Sequence, residues 1–408
     1  MRLDEMHSDG SDGSDGPVTL HAYVEQVFDS LVRTDQRRWA RAYLSGLLNV
    51  PGKKTLQRLA RSVSPSTAGA HGLQQFINAS PWEWGPVRQA VARAVAGQAA
   101  PRAWTVAELT IPKRGDHSVG VHRRFDAGSG RTVNCQLASG SFLVGDAHCV
   151  PVDWQLALDE SWFADEGRRR RARIPDGVPA RPAWTHVLDF AGAVAGQPRF
   201  AALPWVLDLR RAPDIGPVAA GLGRLGMDFV CEVAPGQPVQ SVSRAVAPLA
   251  AVGELMARSQ ARQPHLVVRQ AHGRPKPVTM HSALVRLPRA GAPRGVSQRV
   301  YRVLVRPAVG PRQPARYWIT SLTARRVEDV LGLVGAVGSA ERTMADLEEN
   351  FGVLDFEGRS YPGWHHHMTM ASAAAAYRRL HAGSEAEPTG LRTRIPAQRL
   401  GGPARRSA

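Results

Sequence analysis

Residues 103–115 read A-W-T-V-A-E-L-T-I-P-K-R-G and have the composition of one β-strand that ends in a basic turn. Valine, isoleucine, threonine and tryptophan are enriched in strands and proline is confined to their ends, so we expect this strand to end at Pro112. A single acid, Glu108, stands in the middle of the run. It would face solvent on an edge strand, or it would lie at the mouth of a sheet where a cation or a phosphate could bind.

The charge balance of the chain favours a polyanionic partner. Its 408 residues include 52 lysines and arginines against 35 aspartates and glutamates, a net charge of +17. Such an excess favours nucleic acid first and an anionic membrane surface second. Nearly all of it is arginine, which a GC-rich genome also produces. The chain could therefore also be a structural or interaction protein whose arginines reflect only genome composition, and this hypothesis stands beside the two DNA-binding hypotheses given below.

The sequence gives no sign of a membrane or secreted protein. No apolar run reaches the roughly 18 residues that span a bilayer, and the acidic start of the chain does not resemble a secretory signal. The cysteines, Cys135, Cys149 and Cys231, are far apart and form no C-x-x-C pair, which predicts neither disulfides nor a zinc site. We therefore expect a cytoplasmic, nucleoid-associated protein.

Residues 17–100 have the periodicity of short helices and are predicted to form a DNA-binding domain behind a disordered acidic tail at 1–16. Pro51-Gly52 separates two of these helices, and basic residues stand at the start of the second. This pattern suits a helix-turn-helix-like DNA reader, and it suits a plain helical bundle with solvated arginines equally well. The candidate DNA contacts in this region are Arg37, Arg38, Arg41, Lys53, Lys54 and Arg58.

The segment 101–234 predicts the first part of a mixed α/β sheet with helices on both faces. Three strand-like runs precede a polar connector at 166–173, and helices then alternate with strands up to residue 233. Strands separated by helices usually pair in parallel through right-handed crossovers. The remaining expectations are a β-rich insertion at 235–314, the last strand and helices at 315–382, and a disordered basic tail at 383–408.

Three acids stand out by position in this arrangement. Glu108 lies inside the first strand, Asp208 ends the strand predicted at 204–209, and Glu341 lies on a helix predicted at 327–350. Clustered carboxylates are tolerated mainly when divalent cations neutralise them. Two such ions about 4 Å apart can activate water or a 3′-hydroxyl and stabilise the leaving oxygen in phosphodiester cleavage. With 35 acids in the chain, the spacing alone does not select this triple.

Five stretches of the sequence carry a family resemblance, namely Q-R-R-W-A-R-A-Y-L-S-G-L-L at 36–48, L-Q-Q-F-I-N-A-S-P-W-E-W at 73–84, P-K-R-G-D-H-S-V-G-V at 112–121, V-N-C-Q at 133–136 and L-D-F-E-G-R-S-Y-P-G-W-H-H-H at 354–367. Through them, most of residues 20–380 resembles the DDE transposases of the bacterial insertion-sequence 701 group, which have a ribonuclease H-like catalytic core.

The resemblance implies metal-dependent cleavage and joining of DNA strands. It implies that Glu108, Asp208 and Glu341 hold Mg²⁺ or Mn²⁺ and that the partner is double-stranded DNA, at terminal inverted repeats. It also implies a homodimer on DNA. The acids of the family stand in the contexts D-D-T-x-F-P-K, V-x-A-D-A and R-W-R-I-E.

Several residues depart from that pattern. Glu108 replaces an aspartate, and its extra methylene moves the carboxylate by about 1.5 Å, enough to disturb a near-octahedral site. Val334, Val337 and Glu348 stand where the family has tyrosine, arginine and lysine around the last acid. These departures support an alternative, a catalytically inactive, domesticated DNA-binding protein or regulator.

The histidine run His365-His366-His367 does not predict a metal site. Successive helical side chains point about 100° apart, so three in a row cannot bind one ion together. We expect packing at a helix start or phosphate contact instead. Trp82, Trp84 and Trp364 are interpreted as core aromatics. The further candidate DNA contacts are Lys113, Arg114, Arg359, His365 and His366.

Overall fold

The computed structural model describes residues 19–63, 67–126, 130–242, 248–258, 262–271, 274–289 and 297–381. The two tails predicted to be disordered, 1–16 and 383–408, lie outside these segments. Among the helices of the described segments, none is both long enough and apolar enough to cross a membrane.

The described chain begins with short helices, as the periodicity predicted. They are α1 (Leu20–Val27), α2 (Thr34–Asn49), α3 (Leu56–Val63), α4 (Thr67–Asn78) and α5 (Trp84–Gln98). Thr19 caps α1, because its hydroxyl accepts the N–H of Ala22 at 3.2 Å. In α2, residues spaced three and four apart, such as Ala40, Tyr43 and Leu47, form the buried face.

A mixed sheet follows, and its parallel strands are joined through helices. Its elements are β1 (Pro101–Pro112), β2 (His122–Asp126), β3 (Arg131–Gly145), β4 (Cys149–Leu156), α6 (Glu160–Ala164), α7 (Glu166–Ala172), α8 (Val187–Ala195), α9 (Pro198–Ala201), β5 (Trp205–Asp208), α10 (Gly216–Arg224) and β6 (Phe229–Val233). β1 pairs antiparallel with β3 and parallel with β5, and β5 pairs parallel with β6. This ribonuclease H-like arrangement confirms the predicted fold class.

One strand of this region was not predicted, and one predicted connector is a helix. The strand β4 was missed because it contains Pro151, which normally argues against a strand interior. The β3–β4 ladder shifts register between Ser141 and Phe142, where Phe142 faces Pro151, so the proline lies at an irregularity of the ladder. The polar connector at 166–173 forms α7 instead, because the Asp165 side chain accepts the N–H of Arg168 at 2.8 Å and caps the helix.

The region of the predicted β-rich insertion extends the same sheet. Its elements, together with the next strand, are β7 (Pro238–Ser241), β8 (Ala250–Ala251), α11 (Val252–Arg258), β9 (Gln263–Ala271), β10 (Arg274–Arg286), β11 (Tyr301–Arg306) and β12 (Arg316–Thr320). The sheet continues in the order β6-β12-β11-β10-β7-β8, and β9 pairs with β10. The strands of this region thus belong to the main sheet, while the proposed domain boundaries stay a prediction.

Two long helices, α12 (Val327–Asn350) and α13 (Tyr361–His381), end the described chain. Every residue of α13 from Gly363 to Ala376 is buried. The hydroxyl of Tyr23 on α1 donates to the carbonyl of Ala373 at 3.0 Å, and the indole of Trp154 on β4 donates to Ser372 at 2.8 Å. The N-terminal helices, the sheet and α13 therefore share one continuous hydrophobic core.

Candidate active site

The three acids singled out in the sequence line one cleft. β1 and β5 pair Trp104 with Trp205 and Thr105 with Val206. Continuing that offset brings Asp208 level with Ala107, one position from Glu108. α12 packs beside these strands and contributes Glu341 to the same cleft, whose volume is about 630 Å³.

Each acid occupies an exposed position beside buried residues of its own element. Glu108 is exposed between the buried residues Ala107 and Leu109, as the pleat of a strand requires. Asp208 is the first exposed position after three buried residues of β5. Glu341 lies on the exposed side of α12, next to the buried Ala340.

Arg210 holds the carboxylate of Asp208 from two residues further along the chain. Its Nε donates to Oδ1 at 2.9 Å and to Oδ2 at 3.1 Å, and its Nη2 donates to Oδ2 at 2.6 Å. The backbone N–H of Arg210 donates to Oδ1 at 3.1 Å as well. Both oxygens of Asp208 are therefore hydrogen-bonded to one guanidinium.

The pKa of Asp208 reflects this pairing. Burial by itself would raise it, but the hydrogen bonds from Arg210 and the charges of Arg210 and Arg316 hold the pKa below its ordinary value. The hydrogen bond to Asp208, with the charges of Asp208, Glu232 and Glu341, raises the pKa of Arg210. Asp208 is thus ionised and Arg210 is protonated at neutral pH.

Glu232 is a fourth acid at this edge of the sheet, and the sequence analysis missed it. It lies on β6 directly opposite Asp208 in the parallel register and is only 5% exposed. The Nε of Arg316 on β12 donates to its Oε1 at 2.6 Å, Nη2 donates to Oε2, and the Nε of Arg210 lies 3.8 Å from Oε1. The sequence could have indicated Glu232, because W-V-L-D at 205–208 and F-V-C-E at 229–232 are two apolar runs that each have an acid in the fourth position.

These residues do not fit a divalent metal ion in the observed arrangement. Carboxylates have the right donor chemistry for Mg²⁺ or Mn²⁺. Guanidinium groups, however, already pair Asp208 and Glu232. Among the described residues, no group of three or more histidine, cysteine, aspartate or glutamate side chains is placed so that it could hold a metal ion.

The electrostatics of the cleft also oppose the binding of a phosphate. Glu348, which stands at the family's lysine position, lines the cleft, and burial raises the pKa of its carboxyl. The charged residues of the lining are Glu108, Asp208, Glu341 and Glu348 against Arg210 and Arg211. The formal charge of the cleft is therefore −2.

Most of the candidate DNA contacts reach solvent. Arg37 and Lys113 are partly exposed, and the Nζ of Lys113 donates to the carbonyl of Phe356. The guanidinium of Arg58 donates to the carbonyl of Pro51 at 2.7 Å and so lies against the α2–α3 loop. The candidates that are exposed are Arg38, Arg41, Lys53, Arg58, Arg114 and Arg359.

Three of the candidate DNA contacts are wrong, because the structure buries them. Lys54 is 5% exposed, and its ammonium donates to the carbonyl of Val50. His365 and His366 are each 1% exposed. The ring of His366 lies 2.8 Å from the carbonyls of Ile77 and Trp82, and Nδ1 of His365 accepts from the guanidinium of Arg88 at 3.0 Å. None of these three side chains is placed to meet a phosphate.

The histidine run is part of the protein core. Trp82 stacks on His366 with ring centroids 4.0 Å apart, and Trp84 stacks on His365 at 4.6 Å. Trp82 and Trp364 are buried, as expected for core aromatics, while Trp84 is partly exposed. The stretch at 354–367 thus ties α13 to the N-terminal helices.

The protein thus has a mixed ribonuclease H-like sheet with acids from two central strands and from a late helix in one cleft. The family described as DDE superfamily endonuclease matches residues 26–299, about two thirds of the chain, and the chain belongs to this family. The matched segment includes Glu108 and Asp208 and ends before Glu341. A comparison with curated proteins gave no match.

Proposed function

We propose that the protein binds double-stranded DNA and leaves both strands intact, as a catalytically inactive descendant of a transposase of the insertion-sequence 701 group. The observation that carries this proposal is the pairing of Asp208 with Arg210. Phosphodiester cleavage by metal ions requires carboxylate oxygens that are free to bind the ions. Here both oxygens of the central aspartate accept hydrogen bonds from a guanidinium.

The glutamate at position 108 also supports the absence of cleavage. Members of the family use divalent metal ions, and Mg²⁺ demands near-ideal octahedral geometry, so a glutamate at position 108 places its oxygens differently from an aspartate. No step that requires a bound metal is assigned to the residues of this cleft.

DNA binding is assigned to the basic surface outside the cleft. The exposed Arg38, Arg41, Lys53 and Arg58 belong to α2, to α3 and to the loop between them. Phosphate contacts by such side chains release condensed counterions and make affinity depend strongly on salt. The negative formal charge of the cleft makes it the less favourable docking surface.

A second candidate function is an active transposase that cuts and joins terminal inverted repeats as a homodimer with Mg²⁺ or Mn²⁺. The specific observation in its favour is that Glu108, Asp208 and Glu341 line the same cleft. On this reading, Arg210 would have to leave Asp208 before chemistry begins.

Two assays on the purified protein separate these functions. Fluorescence anisotropy with a labelled duplex measures binding between about 50 and 200 mM salt, where contacts to several phosphates change affinity by orders of magnitude. Nicking of supercoiled plasmid with Mg²⁺ or Mn²⁺ measures cleavage, with Asp208→Ala as the control. We expect salt-dependent binding and no nicking.

Metal-dependent nicking that Asp208→Ala abolishes would establish the second candidate instead. An affinity that stays flat across the salt range would contradict both and favour a structural protein. The parent protein is expected to be inert. If the double variant Glu108→Asp with Glu348→Lys then nicks the plasmid, the result supports descent of this protein from an active transposase.

A further inference from the structure

We propose that Arg210 is an internal counter-ion that takes the place of a divalent cation in the cleft, and that its removal uncovers a cation-binding site. This inference deepens the proposed function and rests on it only for the absence of cleavage. Its own readout is the binding of a metal ion, so it can be judged separately.

The local geometry places one guanidinium between acids from two neighbouring strands. Arg210 follows the end of β5, and its side chain folds back onto Asp208 with three contacts between 2.6 and 3.1 Å. Its Nε also lies 3.8 Å from Glu232 on β6. A divalent cation at this edge of the sheet would compete for the same carboxylate oxygens.

The charges account for the need for a counter-ion. Arg316 alone can neutralise Glu232, because it binds both oxygens of that carboxylate. Asp208 depends on Arg210 in the same way. Without Arg210, the cleft lining would hold four acids against Arg211 alone, and its formal charge would change from −2 to −3. Four carboxylates that line one cleft with a single cation favour the uptake of another cation.

Replacement of Arg210 is compatible with folding. Its side chain is 55% exposed, so truncation opens no buried cavity. Arg211 offers a matched control, because it lines the same cleft, carries the same charge and forms no ion pair with any described residue. Arg210→Ala and Arg211→Ala therefore change the charge of the cleft equally and differ in the contacts with Asp208 and Glu232.

Titration with Mn²⁺ in the absence of DNA tests the proposal. Calorimetry gives the dissociation constant, and the melting temperature at increasing Mn²⁺ gives an independent measure. We expect Arg210→Ala to bind Mn²⁺ at least about tenfold more tightly than the parent, a difference of about 1.4 kcal/mol. We expect Arg211→Ala to match the parent and Arg210→Ala with Asp208→Asn to lose the gain.

Equal affinity in the parent and in Arg210→Ala would overturn the proposal, as would an equal gain in Arg211→Ala. A gain that persists in the double variant would overturn it too, because Asp208 would then not be a ligand. DNA binding is measured on the same samples in a chelator. If the parent protein does not bind DNA, the proposed function is refuted, while the result on Arg210 and Mn²⁺ still stands.

Discussion

Asp208 and Glu232 occupy matching positions on the neighbouring parallel strands β5 and β6, and each is held by its own arginine. Two carboxylates this close on one edge of a sheet would repel each other without compensation. Arg210 and Arg316 supply that compensation from within the chain.

The pair formed by Glu232 and Arg316 is expected to stabilise the fold. Arg316→Ala leaves a carboxylate that is 5% exposed with only the distant Arg210 as a partner. Breaking a fully buried pair on one side costs about 3 kcal/mol, and because Arg316 is 38% exposed we expect about 1–2 kcal/mol here. Urea denaturation measures the loss, and Arg316→Ala with Glu232→Gln should recover part of it. Arg312→Ala, an exposed arginine of the β11–β12 loop, should change stability little. Equal stability of Arg316→Ala and Arg312→Ala would contradict the assignment.

Arg88 is expected to be more important for stability than any exposed arginine. It is 3% exposed and donates to Thr369, Asp153 and His365 and to the carbonyl of Trp154, which joins α5 to β4 and α13. Arg88→Ala leaves several buried polar groups without a hydrogen-bond partner and should lower the free energy of unfolding by about 4 kcal/mol or more. The control is Arg93→Ala, which removes an exposed arginine from the same helix. A melting temperature unchanged by Arg88→Ala would refute the prediction.

Mild acid is expected to destabilise the protein through buried histidines. Burial lowers the pKa of His186 and of His367 to about 4, below the ordinary value near 6.5. Their neutral forms stabilise the fold fully above about pH 6.5. Between that pH and about pH 4, only the unfolded chain takes up these protons, so stability falls as the pH falls. Each histidine then costs about 1.4 kcal/mol per pH unit.

Urea denaturation at pH 7.0, 6.0 and 5.0 measures this slope. His71→Gln changes an exposed histidine and should leave the slope unaltered. A free energy of unfolding that is constant from pH 7 to pH 5 would mean that the buried histidines do not titrate in this way.

The basic residues of α2 and α3 are expected to set the salt dependence of DNA binding. Arg58→Ala should lower the slope of log affinity against log salt by about 1 if it removes one phosphate contact. Arg312→Ala removes the same charge elsewhere and should leave the slope unchanged. Equal slopes for the two variants would place the DNA on another surface.

Much of the fold could be predicted from the local pattern. The helix at 327–350 was predicted with the bounds that α12 has, because its apolar residues repeat at helical spacing. The strand β5 was predicted at 204–209, within one residue of its observed bounds at each end. The strand β4 was not predicted, because Pro151 is accommodated by an irregularity of the β3–β4 ladder. That irregularity depends on β3 and cannot be recognised from the sequence of β4 alone.

The candidate site was predicted only in part. Glu108, Asp208 and Glu341 share a cleft because strand order and helix packing bring them together, and the order of elements indicates both. The contact of Arg210 with Asp208 depends on the backbone path after β5, which composition does not determine. His365 and His366 were misassigned because α13 is buried all round, so polar residues there do not mark an exposed face.

The hydrogen bond between Tyr23 and Ala373 joins positions 350 apart in the chain. During synthesis the first helix leaves the ribosome long before α13, its packing partner, has been made. We therefore expect the nascent N-terminal helices to keep an apolar face exposed until translation is nearly complete.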